Sequence, residues 1–242
     1  MRARLNALIK SALNAAGLDV LRLNRSPHHT LLGLKALPIN TIVDVGANRG
    51  QFAAEIRQVF PAAELYCFEP LAEPFAELQR WAAPQRRVKV FNVALGEKQE
   101  ERTMFLHTTH SPSSSLLQST EICSELYPQT QAQKPVTIKL TTLDNVLGEV
   151  ALQPDVLIKL DTQGYEKQVI AGGVETFRRA AACIIEANLF QLYENQPTFA
   201  ELVSLLDQLG FRYAGNLDQT YDRQGRVVYI DAVFVRCGTP ER

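Results

Sequence analysis

The sequence predicts an α/β domain with a mainly parallel seven-stranded sheet, helices on both faces and an antiparallel hairpin at its C-terminal end. Three observations carry that expectation. Apolar, β-rich runs alternate with helical periodicity from residue 41 to residue 209, the pattern of strands joined by crossover helices. The last two strand-like runs, 211–217 and 228–236, are separated only by "DQTYDRQGRV". No crossover helix fits in that gap, so those two strands pair antiparallel. Finally, several runs end in a polar or acidic residue near glycine, where open α/β sheets bind ligands.

Taken in order, residues 1–38 read as an N-terminal helical extension. Leu5, Leu8, Ile9, Leu13 and Ala16 recur at helical spacing beside Arg2, Arg4 and Lys10, so the segment is expected to pack on the domain or on a second subunit of a homo-oligomer. Peripheral membrane contact through residues 1–23 is the alternative. Asn6, Lys10 and Asn14 interrupt any signal-peptide core, and no run reaches the roughly 18 apolar residues of a membrane span. Cys67, Cys123, Cys183 and Cys237 show no metal-type spacing. Cys67, Cys183 and Cys237 lie in or beside apolar runs and are expected to be buried, reduced thiols, which suits a cytoplasmic protein. A net charge of −1 gives no bulk attraction to nucleic acid, and none is expected as a partner.

The remainder, 39–242, fits one domain. Strands are expected at 41–45, 64–68, 88–93, 155–160 and 182–187, with helices at 50–60, 72–82, 164–179 and 197–209. "RTMFLH" and "VTIKLTTL" are expected to add an edge pairing around a polar insertion, 107–135, with a short helical segment at "EICSEL". An insertion this long in a compact domain points to a functional lid. Asp222 to Gly225 supply the turn of the final hairpin.

The chemistry concentrates at strand ends. "TIVDVGANRG" places Asp44 before a turn with Gly46, Asn48 and Gly50. It lacks both the dinucleotide fingerprint and the P-loop pattern, so phosphate binding has little support. A carboxylate there suits a cationic or zwitterionic ligand, and S-adenosylmethionine carries an ammonium and a sulfonium but no phosphate. Asn48 tolerates a left-handed backbone. Glu69 stands 25 residues after Asp44 at the end of the next strand, where an acid binds both ribose hydroxyls. Asn92, Val93 and Ala94 end the third strand and would meet the adenine edge. Asp161 ends the fourth, facing the reacting centre, serving as a helix N-cap, or both.

The segments "VDVGANRGQF", "FEP", "NVALG", "SSSL", "TTLDNVL", "IKLDTQGYEKQVIAGG" and "IIEANLFQLYENQ" occur in that order, and together they resemble the FkbM family of S-adenosylmethionine-dependent methyltransferases over about residues 39–236. The resemblance implies a class I, Rossmann-like methyltransferase fold with S-adenosylmethionine as donor. It also implies O-methylation of hydroxyl groups on sugars, glycolipids or polyketide-type metabolites. By that carry-over, Asp44, Gly46, Asn48 and Gly50 form the donor loop, Glu69 the ribose contact with Pro70 beside it in the donor site, Asn92 to Ala94 the adenine edge, and Asp161 the strand-4 acid. Thr162 and Tyr165 depart mildly from the family pattern, which bears on acceptor shape more than on donor binding.

A hydroxyl acceptor calls for a general base. Asp161 is the first candidate and Glu186 the second, with His107 and His110 able to reach over the site from the insertion. Tyr193, Glu194 and Gln196 are candidate contacts for a small-molecule or glycan acceptor. No metal is expected; "HTTH" lacks nearby acids or thiols, and the hard-ion alternative would use Asp161, Glu166 and Glu186. A non-catalytic domain of the same fold and an NAD-dependent oxidoreductase are the competing readings.

Overall fold

The computed structural model describes residues 2–18, 21–108 and 111–238. Strands in chain order are β1 (Thr41–Val45), β2 (Glu64–Phe68), β3 (Val88–Phe91), β4 (Ala94–Leu95), β5 (Glu100–His107), β6 (Gln133–Thr141), β7 (Val156–Leu160), β8 (Ala180–Asn188), β9 (Phe211–Tyr221) and β10 (Val227–Arg236). The helices are α1 (Arg2–Ala15), α2 (Pro27–Thr30), α3 (Gln51–Val59), α4 (Ala72–Ala82), α5 (Glu121–Leu126), α6 (Leu143–Leu147), α7 (Glu166–Ala171), α8 (Val174–Arg178) and α9 (Phe199–Gln208).

Seven strands form one sheet in the order β3-β2-β1-β7-β8-β10-β9. The first five are mutually parallel, and β10 runs antiparallel to both β8 and β9. This is the expected class I methyltransferase sheet. Its central strands are apolar on both faces because helices cover both. Val43, Val45, Tyr66 and Leu160 point into a core shared with α7, α8 and α9. Ile42, Leu65, Cys67 and Leu157 point into the other, shared with α3 and α4.

Three expectations are corrected. The strands flanking the insertion do pair antiparallel, but they form a separate three-stranded sheet, β4-β6-β5, rather than an added edge. The helix expected over 164–179 is broken into α7 and α8 at Gly172 and Gly173. The backbone there comes so close to β4's end that a Cβ on Gly172 would meet the Gly96 carbonyl oxygen at 1.9 Å. Cys67, Cys123 and Cys183 are buried, whereas Cys237 is exposed, just past the last residue of β10.

The extension before β1 behaves in two ways. Leu34 is fully buried in the core under α3, with Leu31, Leu32 and Leu37 packed around it. By contrast, Ile9 of α1 is 49% exposed and Leu18 is 57% exposed. Among the described residues, no helix is long and apolar enough to cross a membrane.

Candidate active site

The site is set by sheet register. Phe91, Phe68, Val45, Leu160 and Ile185 lie side by side as paired residues across five strands. One residue further on, the chain places Asn92, Glu69, Gly46, Asp161 and Glu186 in a row along the carboxyl edge. Hydrogen bonds continue the ladder past these tips: Asp161 N–H to Val45 O at 3.0 Å, Glu69 N–H to Phe91 O at 3.0 Å, and Gly46 N–H to Phe68 O at 3.0 Å. The paired residues at the ends of these runs are apolar, and four of the five residues that follow are polar, so the polar groups gather where the sheet ends.

Two clefts open along this row. The first, of about 540 Å³, is lined by Gly46, Asn48, Glu69, Pro70, Val93 and Ala94, with Met104 and Leu116 closing it from the second sheet and the insertion. The second, of about 780 Å³, is lined by Gln163, Glu186, Asn188, Tyr193 and Tyr229, with Tyr127 from the insertion. Asp161 lines both. Of the sequence-derived donor residues, Gly46, Asn48, Glu69, Pro70, Val93, Ala94 and Asp161 thus surround the first cleft.

Three others stand behind it. Asp44 pairs in register with Lys159, within the sheet rather than at its tip, and is 1% exposed. Its Oδ2 is buried without a hydrogen-bond partner. Gly50 caps α3 with φ +90° and packs on Leu78 and Trp81. Asn92 turns its amide back, donating to the carbonyls of Glu69 and Pro70 at 3.0 Å each. It props the "FEP" loop that the first cleft needs. Glu69 is buried and accepts from Asn48 N–H at 2.9 Å and Leu71 N–H at 2.7 Å, which joins the first two strand-end turns and leaves each oxygen a further lone pair.

Between the clefts, Gln163 is the hub. Its backbone is left-handed, φ +54°, next to Gly164 at φ +91°, a strained turn of the kind found at functional sites. Its Nε2 donates to Asp161 Oδ1 at 2.7 Å and Glu186 Oε1 at 2.8 Å, and its Oε1 lies 2.6 Å from the Tyr193 hydroxyl. Ser115 of the insertion bonds the Gln163 carbonyl at 2.7 Å. On the far side, Lys159 Nζ donates to Asp161 Oδ2 at 3.0 Å. Burial pulls the Lys159 ammonium down, but Asp161, Asp231, Asp44 and Glu186 outweigh it and hold the group above its ordinary range. Burial, reinforced by Asp161, pushes Glu186 well above the usual carboxylate range.

Other candidates fall away from the clefts. His107 is buried at the end of β5, its Nε2 3.2 Å from Ser119 Oγ; it does not reach over the site. His110 lies outside the described residues. Glu194 is exposed, and Gln196 braces its own loop by accepting from Leu192 and Tyr193 N–H. Asp161 does not cap a helix; the start of α7 is instead served by Glu166, which accepts from Thr162 N–H, Thr162 Oγ1 and Gly164 N–H. Among the described residues no three acids, histidines or cysteines converge as metal ligands. Sequence reasoning passed over Lys159, although it is the one charge in the run "VLIKL", and it assigned no task to Gln163.

Burial pushes Asp44 up to about 7 from 3.8, and Glu69 and Glu166 up to about 7 from 4.5. An unfolded chain has released these protons by about pH 5, whereas the folded protein keeps them to about pH 7. The folded state therefore binds more protons in that window, and its stability declines as pH rises through it. Urea midpoints of the donor-free protein are expected to fall between about pH 5 and about pH 8, less steeply in Glu166→Gln; a midpoint that rises over this range contradicts the buried-carboxyl arrangement.

The family model of the methyltransferase FkbM domain matches residues 44–213. The chain is 29% identical over 187 residues to the 2-O-methyltransferase NoeI of Sinorhizobium fredii, covering 74% of this chain and 76% of that protein. It is 29% identical over 171 residues to the AMB antimetabolite synthetase AmbE of Pseudomonas aeruginosa, covering 58% of this chain and 8% of that protein. Among solved structures, a SAM-dependent methyltransferase from Aquifex aeolicus superposes with a TM-score of 0.42 at 13% identity, covering 93% of this chain and 98% of that one.

Proposed function

Because the chain belongs to the FkbM family of methyltransferases, we propose that it moves a methyl group from S-adenosylmethionine to a hydroxyl oxygen of a sugar, glycolipid or polyketide-type acceptor. The observation that carries this reading is the meeting of the two clefts at Asp161. One has the lining of a nucleoside site and the other the lining of a polar acceptor site. NoeI, named as a 2-O-methyltransferase, supports oxygen as the atom methylated.

The first cleft fits the donor on its own chemistry. Glu69 has lone pairs left for two ribose hydroxyls, and Val93, Ala94, Met104 and Leu116 offer an apolar slot for a flat base. Gly46 keeps the backbone low at the point where the two clefts join; a Cβ there would meet the Asp161 carbonyl oxygen at 1.9 Å. Asp44, its Oδ2 buried without a hydrogen-bond partner just beneath the turn, stands outside the lining of the first cleft and makes no contact there. When bound, the sulfonium supplies the methyl carbon and leaves as a neutral thioether.

The protein's own task is then to align the oxygen and remove its proton. Asp161, 30% exposed at its side chain and anchored by Lys159, takes the hydroxyl proton as the new carbon–oxygen bond forms. Gln163 fixes the carboxylate's orientation from the opposite oxygen. Glu186, held above the usual carboxylate range by its burial and already accepting from Gln163 Nε2 at 2.8 Å, serves as a hydrogen-bonding partner for the acceptor, with Asp161 as the base. This assignment orders the two acids that the sequence left as first and second candidates.

Two measurements test the reading. S-adenosylhomocysteine is expected to raise the thermal midpoint and NADH to leave it unmoved; stabilisation by NADH alone overturns the proposal. Glu69→Ala is expected to weaken S-adenosylhomocysteine binding by roughly 10–100-fold or more, since each charge-assisted hydrogen bond lost is worth roughly 1.5–3 kcal/mol. Unchanged affinity in calorimetry would remove Glu69 from the donor site.

A further inference from the structure

We propose that the acceptor site continues past the second cleft into an outer subsite that binds the second and later units of an oligosaccharide. The inference rests on the reading of the chain as a hydroxyl-directed methyltransferase and adds the size and class of its acceptor. Tyr127 lines the acceptor cleft and also a second open cleft of about 780 Å³, so the two adjoin across one aromatic side chain. The outer cleft is walled on one side by the end of α5, with Glu125 and Leu126, and on the other by the tip of the β9–β10 hairpin, with Tyr221, Arg223 and Gln224.

That wall is fixed relative to the reacting centre. Asp222 accepts from Gln224 N–H at 2.8 Å, Arg226 N–H at 2.9 Å and Arg226 Nε at 2.7 Å, which locks the hairpin tip. The Arg226 guanidinium then stacks 5.1 Å from the centroid of Phe190, at the root of the loop that carries Tyr193 into the acceptor cleft. Asp222 and Arg226 are therefore consumed in holding the tip. Tyr221, 53% exposed, and the exposed Arg223 and Gln224 face the outer cleft.

The chemistry of the combined surface matches a glycan. Tyrosine faces offer stacking area to the apolar faces of sugar rings, while a guanidinium, an amide and carboxylates meet hydroxyls. A flat hydrophobic acceptor finds no such match, since the inner cleft is floored by Asp161, Gln163, Glu186 and Asn188. Asn188 is 6% exposed and its Oδ1 has no hydrogen-bond partner within the protein; a hydroxyl donor on the acceptor would satisfy it. Binding of a remote unit then supplies energy for orienting the reacting hydroxyl.

The test uses the full chain, S-adenosylmethionine and a panel of glucose, galactose, rhamnose and N-acetylglucosamine with their homo-oligomers of increasing length. Methyl transfer is read as S-adenosylhomocysteine release. We expect kcat/KM to rise about tenfold or more from one unit to three, as remote binding energy predicts. Tyr221→Ala and Arg223→Ala should each remove most of that rise, with the monosaccharide rate and S-adenosylhomocysteine affinity unchanged. Equal kcat/KM at every length, or a length dependence indifferent to both substitutions, overturns the outer subsite. Methylation of no saccharide, with S-adenosylhomocysteine still bound, overturns it too but leaves the methyltransferase reading standing. Loss of S-adenosylhomocysteine binding in the unmodified protein overturns both.

Discussion

Asp161→Asn is expected to lower turnover by about 10²–10⁴-fold, the contribution typical of a positioned general base, with S-adenosylhomocysteine affinity nearly unchanged. The substitution keeps size and shape but removes the group that accepts the proton. Its Oδ1 can still accept from Gln163, whereas its new amide faces Lys159, formerly 3.0 Å from the carboxylate. The loss does not strand the lysine, because Asp231 also bears on its charge. The fold is therefore expected to survive, which a thermal midpoint checks directly. Single-turnover rates and donor calorimetry on the same protein separate the outcomes. A fall in rate without a fall in affinity identifies the base, and parallel losses make Asp161 a donor-site or structural residue. Glu186→Gln should be milder, since burial already biases this carboxyl toward its neutral form and glutamine is another neutral hydrogen-bonding group.

The strands were legible because two-sided burial writes them as nearly unbroken apolar runs, such as "TIVDV", "ELYCF" and "VLIKL". The final hairpin was legible from the shortness of its connection. What periodicity does not encode is register. Asp44 looks like a strand tip because a glycine follows two residues later, yet Val45 is the last paired residue and Asp44 lies level with Cys67 and Lys159. Its side chain consequently points into the sheet's α3 side instead of the cleft. Asn92 was illegible for a related reason. Its partners are carbonyls 22 and 23 residues earlier, and only the folded loop brings them near. "HTTH" reads as part of an insertion able to reach over the site, but β5 extends to His107 and buries it against Ser119. Gln163 was hidden because a non-glycine residue at positive φ carries no reliable sequence signal. The glycine after it marks the turn, and the turn is what aims the amide at both acids.

The same register makes Gly46→Ala a severely disruptive substitution. A Cβ at this position would sit 1.9 Å from the Asp161 carbonyl oxygen and 2.9 Å from its carbonyl carbon, both backbone atoms that no rotamer change can move. The residue also has φ +82°, where a side chain costs about 1–2 kcal/mol. Overpacking adds about 1–3 kcal/mol, so a total of roughly 2–5 kcal/mol is expected against a domain stability of about 5–15 kcal/mol. The variant should fold, but with the tips of β1 and β7 forced apart. That separation displaces Asp161 from Gly46 and opens the junction of the two clefts, so S-adenosylhomocysteine affinity should fall by about 100-fold or more, the equivalent of roughly 2.7 kcal/mol. Gly225→Ala supplies the control: its φ is +79°, yet an added Cβ would meet nothing within 4 Å. It carries the backbone strain without the collision. The difference between the two variants in urea midpoint and in donor affinity isolates the contact between the strand tips. If Gly46→Ala proves no worse than Gly225→Ala on both measures, β1 and β7 do not abut at the cleft, and the row of strand-end groups from which the site was built loses its centre.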